Sequence, residues 1–223
     1  MITISRVDGL KDAQFQVQTA VLDYLTTHVR QNMGAHKVAL IGHSYGAYLS
    51  AASANHSSVD SVVLTGFSGF FDHFAPFVSG AGLRVAKLHD PRRWGSLNST
   101  FLTSSDLFAE TYAYYKEPYF EHRIAKWTYD VGSEPFAVGE LISLLASYNN
   151  FNNITAPVLV LQGQYDISAC GGNCVGFVEE DNLRKYVFKD AKSIEVVNDL
   201  PAGYVYSSYQ SHSKELTYLL GIT

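Results

Sequence analysis

One serine stands where this sequence could present a nucleophile. In His36-Lys37-Val38-Ala39-Leu40-Ile41-Gly42-His43-Ser44-Tyr45-Gly46 a short apolar run of strand character ends at a glycine. Ser44 and a second glycine follow, and then the small-residue run Ala47-Tyr48-Leu49-Ser50-Ala51-Ala52 reads as helix. Gly-x-Ser-x-Gly between a strand and a helix puts the serine at the apex of a sharp turn with its hydroxyl presented. Gly42 and Gly46 are expected to remove side chains that would clash where strand and helix cross, and Ala47, Ala51 and Ala52 to keep that crossing tight. The chemistry this could do is acyl transfer. A serine hydroxyl is a poor nucleophile until a base takes its proton, so it needs a histidine within hydrogen-bond reach. That histidine needs a carboxylate to hold its tautomer, and the oxyanion that forms needs backbone N–H donors. The same turn with no nucleophilic role is the competing reading.

Those groups need elements to position them. Met1–Val7 alternates Ile2 and Ile4 against Thr3 and Ser5 and reads as a strand. Leu10–Arg30 carries Phe15, Gln18, Val21, Leu22, Leu25 and Val29 near helical spacing, closed by Asn32 and Gly34. His36–Ile41 is the strand before Ser44 and Tyr45–Ala54 the helix after it. Val59–Thr65, Ala156–Leu161 and Ser193–Val197 read as further buried strands, Leu183–Phe188 and Lys214–Leu220 as helices. Strands alternating with helices imply an α/β fold with a mostly parallel sheet. Between Phe67 and Tyr129 the periodicity degrades and aromatics crowd in, with helices expected at Ser105–Lys116 and Glu134–Tyr148. This region reads as a helical insertion rather than a sheet layer. It either caps a cleft for an apolar or ring-bearing substrate or packs only on itself. The chain therefore divides into an elbow half, 1–66, a cap-like insertion, 67–150, and a second half of the core, 151–223, as one domain overall.

Composition narrows the partners. The 223 residues are 47% hydrophobic and 17% charged, an ordinary globular balance. A net charge of -5 carries no basic footprint, so nucleic acid is not an expected partner. No apolar run is long enough to span a bilayer, and the first residues hold no signal-peptide core. Cys170 and Cys174 in Cys-Gly-Gly-Asn-Cys either form a small-loop disulfide or stay reduced; no second Cys or His pair nearby supports a metal site. The acceptor motifs at Asn55, Asn98 and Asn153 join the cysteines in pointing to a secreted parent protein, against the missing signal.

The motif Gly42-His43-Ser44-Tyr45-Gly46, the strand Val62-Val63-Leu64-Thr65-Gly66 and the segment Pro157-Val158-Leu159-Val160-Leu161-Gln162-Gly163-Gln164-Tyr165-Asp166 together resemble the α/β-hydrolase superfamily. The resemblance implies a serine hydrolase of the esterase kind, with no cofactor. It implies Ser44 as nucleophile, Asp166 as the orienting acid, and a later histidine as base, in that chain order. The N–H of Tyr45, next after the nucleophile, would be one oxyanion donor. Asp72, Asp190 and Asp199 are worse placed than Asp166. The resemblance also expects a Gly-His after the last strand, where Gly203-Tyr204 stands. His212 is the only histidine after Asp166 and becomes the base if the tail loops back ahead of a helix capped by Ser213. His43 lies on the strand side of the turn and is not the base in the family. Only one strand and one helix precede Ser44, so the chain resembles a fold entered at its fourth strand. The early loop that supplies the second oxyanion donor has no counterpart. Two functions follow: hydrolysis of a carboxylic ester or similar acyl substrate, or a truncated or degenerate member that binds a small apolar ligand or a partner without turnover.

Overall fold

A computed structural model describes residues 7–147, 150–201 and 203. In chain order it contains α1 (Phe15–Met33), β1 (Ala39–His43), α2 (Tyr45–His56), β2 (Ser61–Thr65), α3 (Phe74–Ala81), β3 (Arg84–Val85), α4 (Ala86–His89), α5 (Pro91–Trp94) and β4 (Phe101–Thr103). There follow α6 (Leu107–Tyr114), α7 (His122–Trp127), β5 (Phe136–Ala137), α8 (Val138–Leu145), β6 (Val158–Gly163), α9 (Ile167–Cys170), α10 (Glu180–Tyr186) and β7 (Ile194–Leu200).

The expected parallel sheet is present. Its order is β1-β2-β6-β7, and every pairing is parallel: Ala39 to His43 against Ser61 to Thr65, Val62 to Thr65 against Val158 to Leu161, and Val158 onward against Ile194 onward. The two middle strands seal Val62, Leu64, Val158 and Val160 on one face and Leu161 on the other, where Val63 and Leu159 are half-buried against it, which is why they read as continuous apolar runs. The expected strand at Met1–Val7 falls almost wholly outside the described residues, so among those residues β1 forms one edge, with Ala39, Ile41 and His43 exposed.

Small residues let α2 lie close on the sheet, with Ala47 and Ala51 fully buried beneath it. Helix α1 packs against α2 through a face different from the one its apolar residues suggest. Phe15, Thr19 and Thr26 are buried, with Leu22 and Val29 packed beside the core, whereas Val21 and Leu25 stand 54% and 48% exposed. Positions 15, 19, 22, 26 and 29 keep the helical period. Thr19 fits that face because its hydroxyl donates back to the Phe15 carbonyl at 2.9 Å.

The stretch 67–150, expected as a helical insertion, is not wholly helical. Strands β3, β4 and β5 form a three-stranded antiparallel sheet, Arg84–Val85 against Leu102–Thr103 and Phe101–Leu102 against Phe136–Ala137. The helix expected at Glu134–Tyr148 consequently starts only at Val138, because Phe136 and Ala137 are paired in the sheet. Helix α8 is fixed to α1 by side chains: Ser143 Oγ accepts from Phe15 N–H at 2.8 Å, and Gln18 Nε2 donates to Glu140 Oε1 at 2.6 Å.

Candidate active site

Ser44 directly follows the last residue of β1 and directly precedes α2, at the carboxyl end of the parallel sheet. Its backbone sits at φ 55° and ψ -124°, the one non-glycine residue with positive φ among those described. A serine held there costs about 1–3 kcal/mol and persists only when its surroundings impose it. They do: Ser44 N–H donates to the Thr65 carbonyl at 2.8 Å, and the Ser44 carbonyl accepts from Ala47 N–H at 2.8 Å as α2 begins. Behind the turn, a Cβ on Gly42 would overlap the Gly46 carbonyl oxygen and come within 2.5 Å of Ser50 Oγ, so Gly42 must lack a side chain. Gly46 differs from expectation. A Cβ there would meet nothing within 4 Å, so no crowding requires that glycine.

Tyr45 opens α2, so its N–H is among the four at a helix start that lack an intrahelical carbonyl. Its ring packs edge-on against Phe15, 5.8 Å between centroids. His43 Nδ1 lies 2.7 Å from Thr65 Oγ1, and the ring crowds Gly66. That packing desolvates the imidazole and lowers its pKa, although the residue keeps exposed surface at the sheet edge.

Asp166 lies just past β6, where it caps α9, and is fully buried. Its Oδ1 accepts from Ser168 N–H at 2.8 Å, Ser168 Oγ at 2.7 Å and Ala169 N–H at 2.9 Å, and its Oδ2 accepts from Gln162 Nε2 at 2.8 Å. Burial pushes the carboxyl above the usual range, against the pull of these same hydrogen bonds. Gln162, itself buried, uses its other end to accept from Phe67 N–H at 2.7 Å and so ties the acid's loop to the segment after β2. Sequence reasoning passed over Gln162 and Ser168. A glutamine inside the apolar strand Val-Leu-Val-Leu-Gln-Gly had to find buried partners, and Asp-x-Ser is a helix-capping pattern; both signals were readable. The loop past Asp166 closes on itself: Cys170 and Cys174 are joined in a disulfide, Gly172 N–H donates to the Asp166 carbonyl at 2.9 Å, and Cys174 N–H to the Gln164 carbonyl at 2.7 Å.

A cavity of about 230 Å³ opens beside Ser44. Its wall includes Ser44, Tyr45, Ser168 and Ala169 beside the parallel sheet, and Phe74, Phe77, Tyr114, Phe136 and Glu140 from the stretch between β2 and β6. Ser44 thus faces one space with Ser168 and Ala169, whose N–H groups hold the Asp166 carboxylate. No histidine contributes to that wall among the described residues. Tyr204 and His212 lie outside the described residues, as does the expected last helix.

Comparisons with known proteins bear on the family and the fold. A model whose description is "Alpha/beta hydrolase family" matches residues 5–195. The chain belongs to the alpha/beta hydrolase family. Among solved structures, the monoacylglycerol lipase of Paleococcus ferrophilus superposes with a TM-score of 0.61 at 15% identity, over 93% of this chain and 74% of that one. The putative non-heme bromoperoxidase BpoC of Mycobacterium tuberculosis H37Rv gives 0.56 at 15% identity, over 91% and 72%. The 2-hydroxy-6-oxo-6-phenylhexa-2,4-dienoate hydrolase of Rhodococcus sp. strain RHA1 gives 0.51 at 15% identity, over 93% and 72%. At such identities these likenesses speak for the fold of this hydrolase-family chain. No curated protein matches it.

Proposed function

We propose that this family member is a serine hydrolase acting on a carboxylic ester or similar acyl substrate, with Ser44 as nucleophile and Asp166 as the acid that orients the base. The observation that carries the reading is the strained backbone of Ser44 at the junction of β1 and α2, against the wall of an apolar cavity. In this reading Ser44 Oγ attacks the substrate carbonyl carbon and gives its proton to the base, which is His212. The new oxyanion accepts from Tyr45 N–H. Collapse breaks the carbon–oxygen bond of the ester, and the protonated base returns its proton to the leaving alcohol. Water, deprotonated by the same base, then releases the acid and frees Ser44. The insertion serves as a cap whose rings hold the apolar part of the substrate.

A second reading, binding of a small apolar ligand or a partner without turnover, rests on Tyr204 standing where the family resemblance expects a histidine. Covalent labelling separates the two. A fluorophosphonate probe is expected to label Ser44, and Ser44→Ala to abolish both labelling and hydrolysis of a p-nitrophenyl ester while the far-UV circular dichroism stays the same. Labelling that survives the substitution overturns the nucleophile. A folded wild type that takes no label and turns over no ester selects the binding reading.

A further inference from the structure

We propose that Glu140 makes the cavity beside Ser44 select by charge, admitting apolar groups that are neutral or cationic and refusing those that end in a carboxylate. For the word substrate this rests on the hydrolase reading; for binding it stands alone.

Among the described residues Glu140 is the only charged side chain in a wall otherwise built mainly of rings and aliphatic groups. Its carboxylate is held by neutral donors, Ala137 N–H on Oε2 at 2.8 Å and Gln18 Nε2 on Oε1 at 2.6 Å. Among the described residues it makes no ion pair with a lysine, arginine or histidine. No described residue of the wall therefore neutralises it, and its position is fixed from two sides, by Gln18 of α1 and by Ala137 at the start of α8. Tyr45 lines the same wall, and its phenol pKa is pushed up first by burial and then by the Glu140 charge. Phe74, Phe77, Tyr114 and Phe136 line the same space. Aromatic faces are themselves negative and attract cations. A carboxylate entering would meet a like charge through a low-dielectric medium, while an ammonium would meet an opposite one.

The experiment is calorimetric titration of the full chain at neutral pH with three probes of one shape: phenylbutanol, phenylbutanoate and phenylbutylamine. The two ions lose comparable hydration on entry, so the ratio of their affinities reports the sign of the local charge. The amine is expected to bind about tenfold tighter than the carboxylate. In Glu140→Gln, which keeps an acceptor for Ala137 N–H, that ratio is expected to fall below about threefold. Should the variant not fold, the wild-type ratio decides by itself. Equal binding of the two ions, a ratio untouched by Glu140→Gln, or no binding of any probe at millimolar concentration overturns the proposal. Because the readout is binding, a chain that shows the ratio but takes no fluorophosphonate label loses the hydrolase reading and keeps this one.

Discussion

The Cα of Gly42 faces the carbonyl of Gly46 so closely that a side chain on Gly42 would overlap that oxygen, while a side chain on Gly46 would meet open space. The two glycines of one motif thus do unequal work. Gly42→Ala must push β1 away from the first turn of α2, and overpacking of this kind costs about 1–3 kcal/mol. Gly46→Ala is expected to be neutral or to stabilise by up to about 1 kcal/mol, since alanine is the better helix former. Urea unfolding of both variants checks the contrast.

The strain at Ser44 makes a second contrast. Ser44→Ala keeps a Cβ at φ 55°, and Ser44→Gly removes it. The glycine variant is expected to exceed the alanine variant in stability by about 1 kcal/mol, the lower end of the cost of holding such a backbone. Both are expected to lose all reaction with a fluorophosphonate. Thermal unfolding of the pair reads the difference, and an alanine variant as stable as the glycine one would mean that the turn stores no strain.

Much of this architecture was legible in the residues. Buried parallel strands announce themselves as short apolar runs, and the four described strands of the main sheet each appear within a few residues of where periodicity puts them. The strand–turn–helix around Ser44 and the strand ending before Asp166 were readable for the same reason. Other features were hidden by physics that periodicity does not encode. Thr19 enters the buried face of α1 because the helix's own carbonyl satisfies its hydroxyl, so a polarity pattern assigns the wrong side and leaves Val21 and Leu25 outside. Strands β3 and β5 are two residues long, too short for alternation to show, and exist only because β4 lies between them. Glu140 could not be assigned to a cavity wall, since its place depends on α8 meeting Gln18 of α1 across more than a hundred residues of chain.

The disulfide should stiffen the loop that carries the acid. Cys170 and Cys174 close a ring of about five residues, which loop-closure entropy values at about 2 kcal/mol. Replacing both by serine is expected to cost about that much and to speed amide exchange at Gly172 and Cys174, whose N–H groups close the loop onto Asp166 and Gln164. Hydrogen-exchange mass spectrometry of the two proteins measures it. Unchanged exchange in the segment after Asp166 would show that hydrogen bonds alone hold the loop.

Asp166 predicts a pH dependence of stability whose sign is set by its burial. The folded protein holds this carboxyl proton more tightly than the unfolded chain, because desolvation outweighs the donors from Ala169, Ser168 and Gln162. Between the unfolded value, about 3.9, and the raised folded value, the native state binds more protons than the unfolded state. Stability from this group is therefore full below the unfolded pKa, falls as pH rises through that window, and stays lost above it. Asp166→Asn cannot titrate and has no such slope. It also exchanges an acceptor oxygen for a donor nitrogen among three fixed donors, so it is expected to be less stable than wild type at low pH, by about 1–3 kcal/mol. The gap should narrow as pH climbs through the window and then stay constant. Chemical unfolding of both proteins across the acidic range gives the difference curve, in which other acids cancel because they are common to both. A gap that widens with rising pH would mean that the hydrogen bonds outweigh burial and that the folded carboxyl is held below its ordinary value.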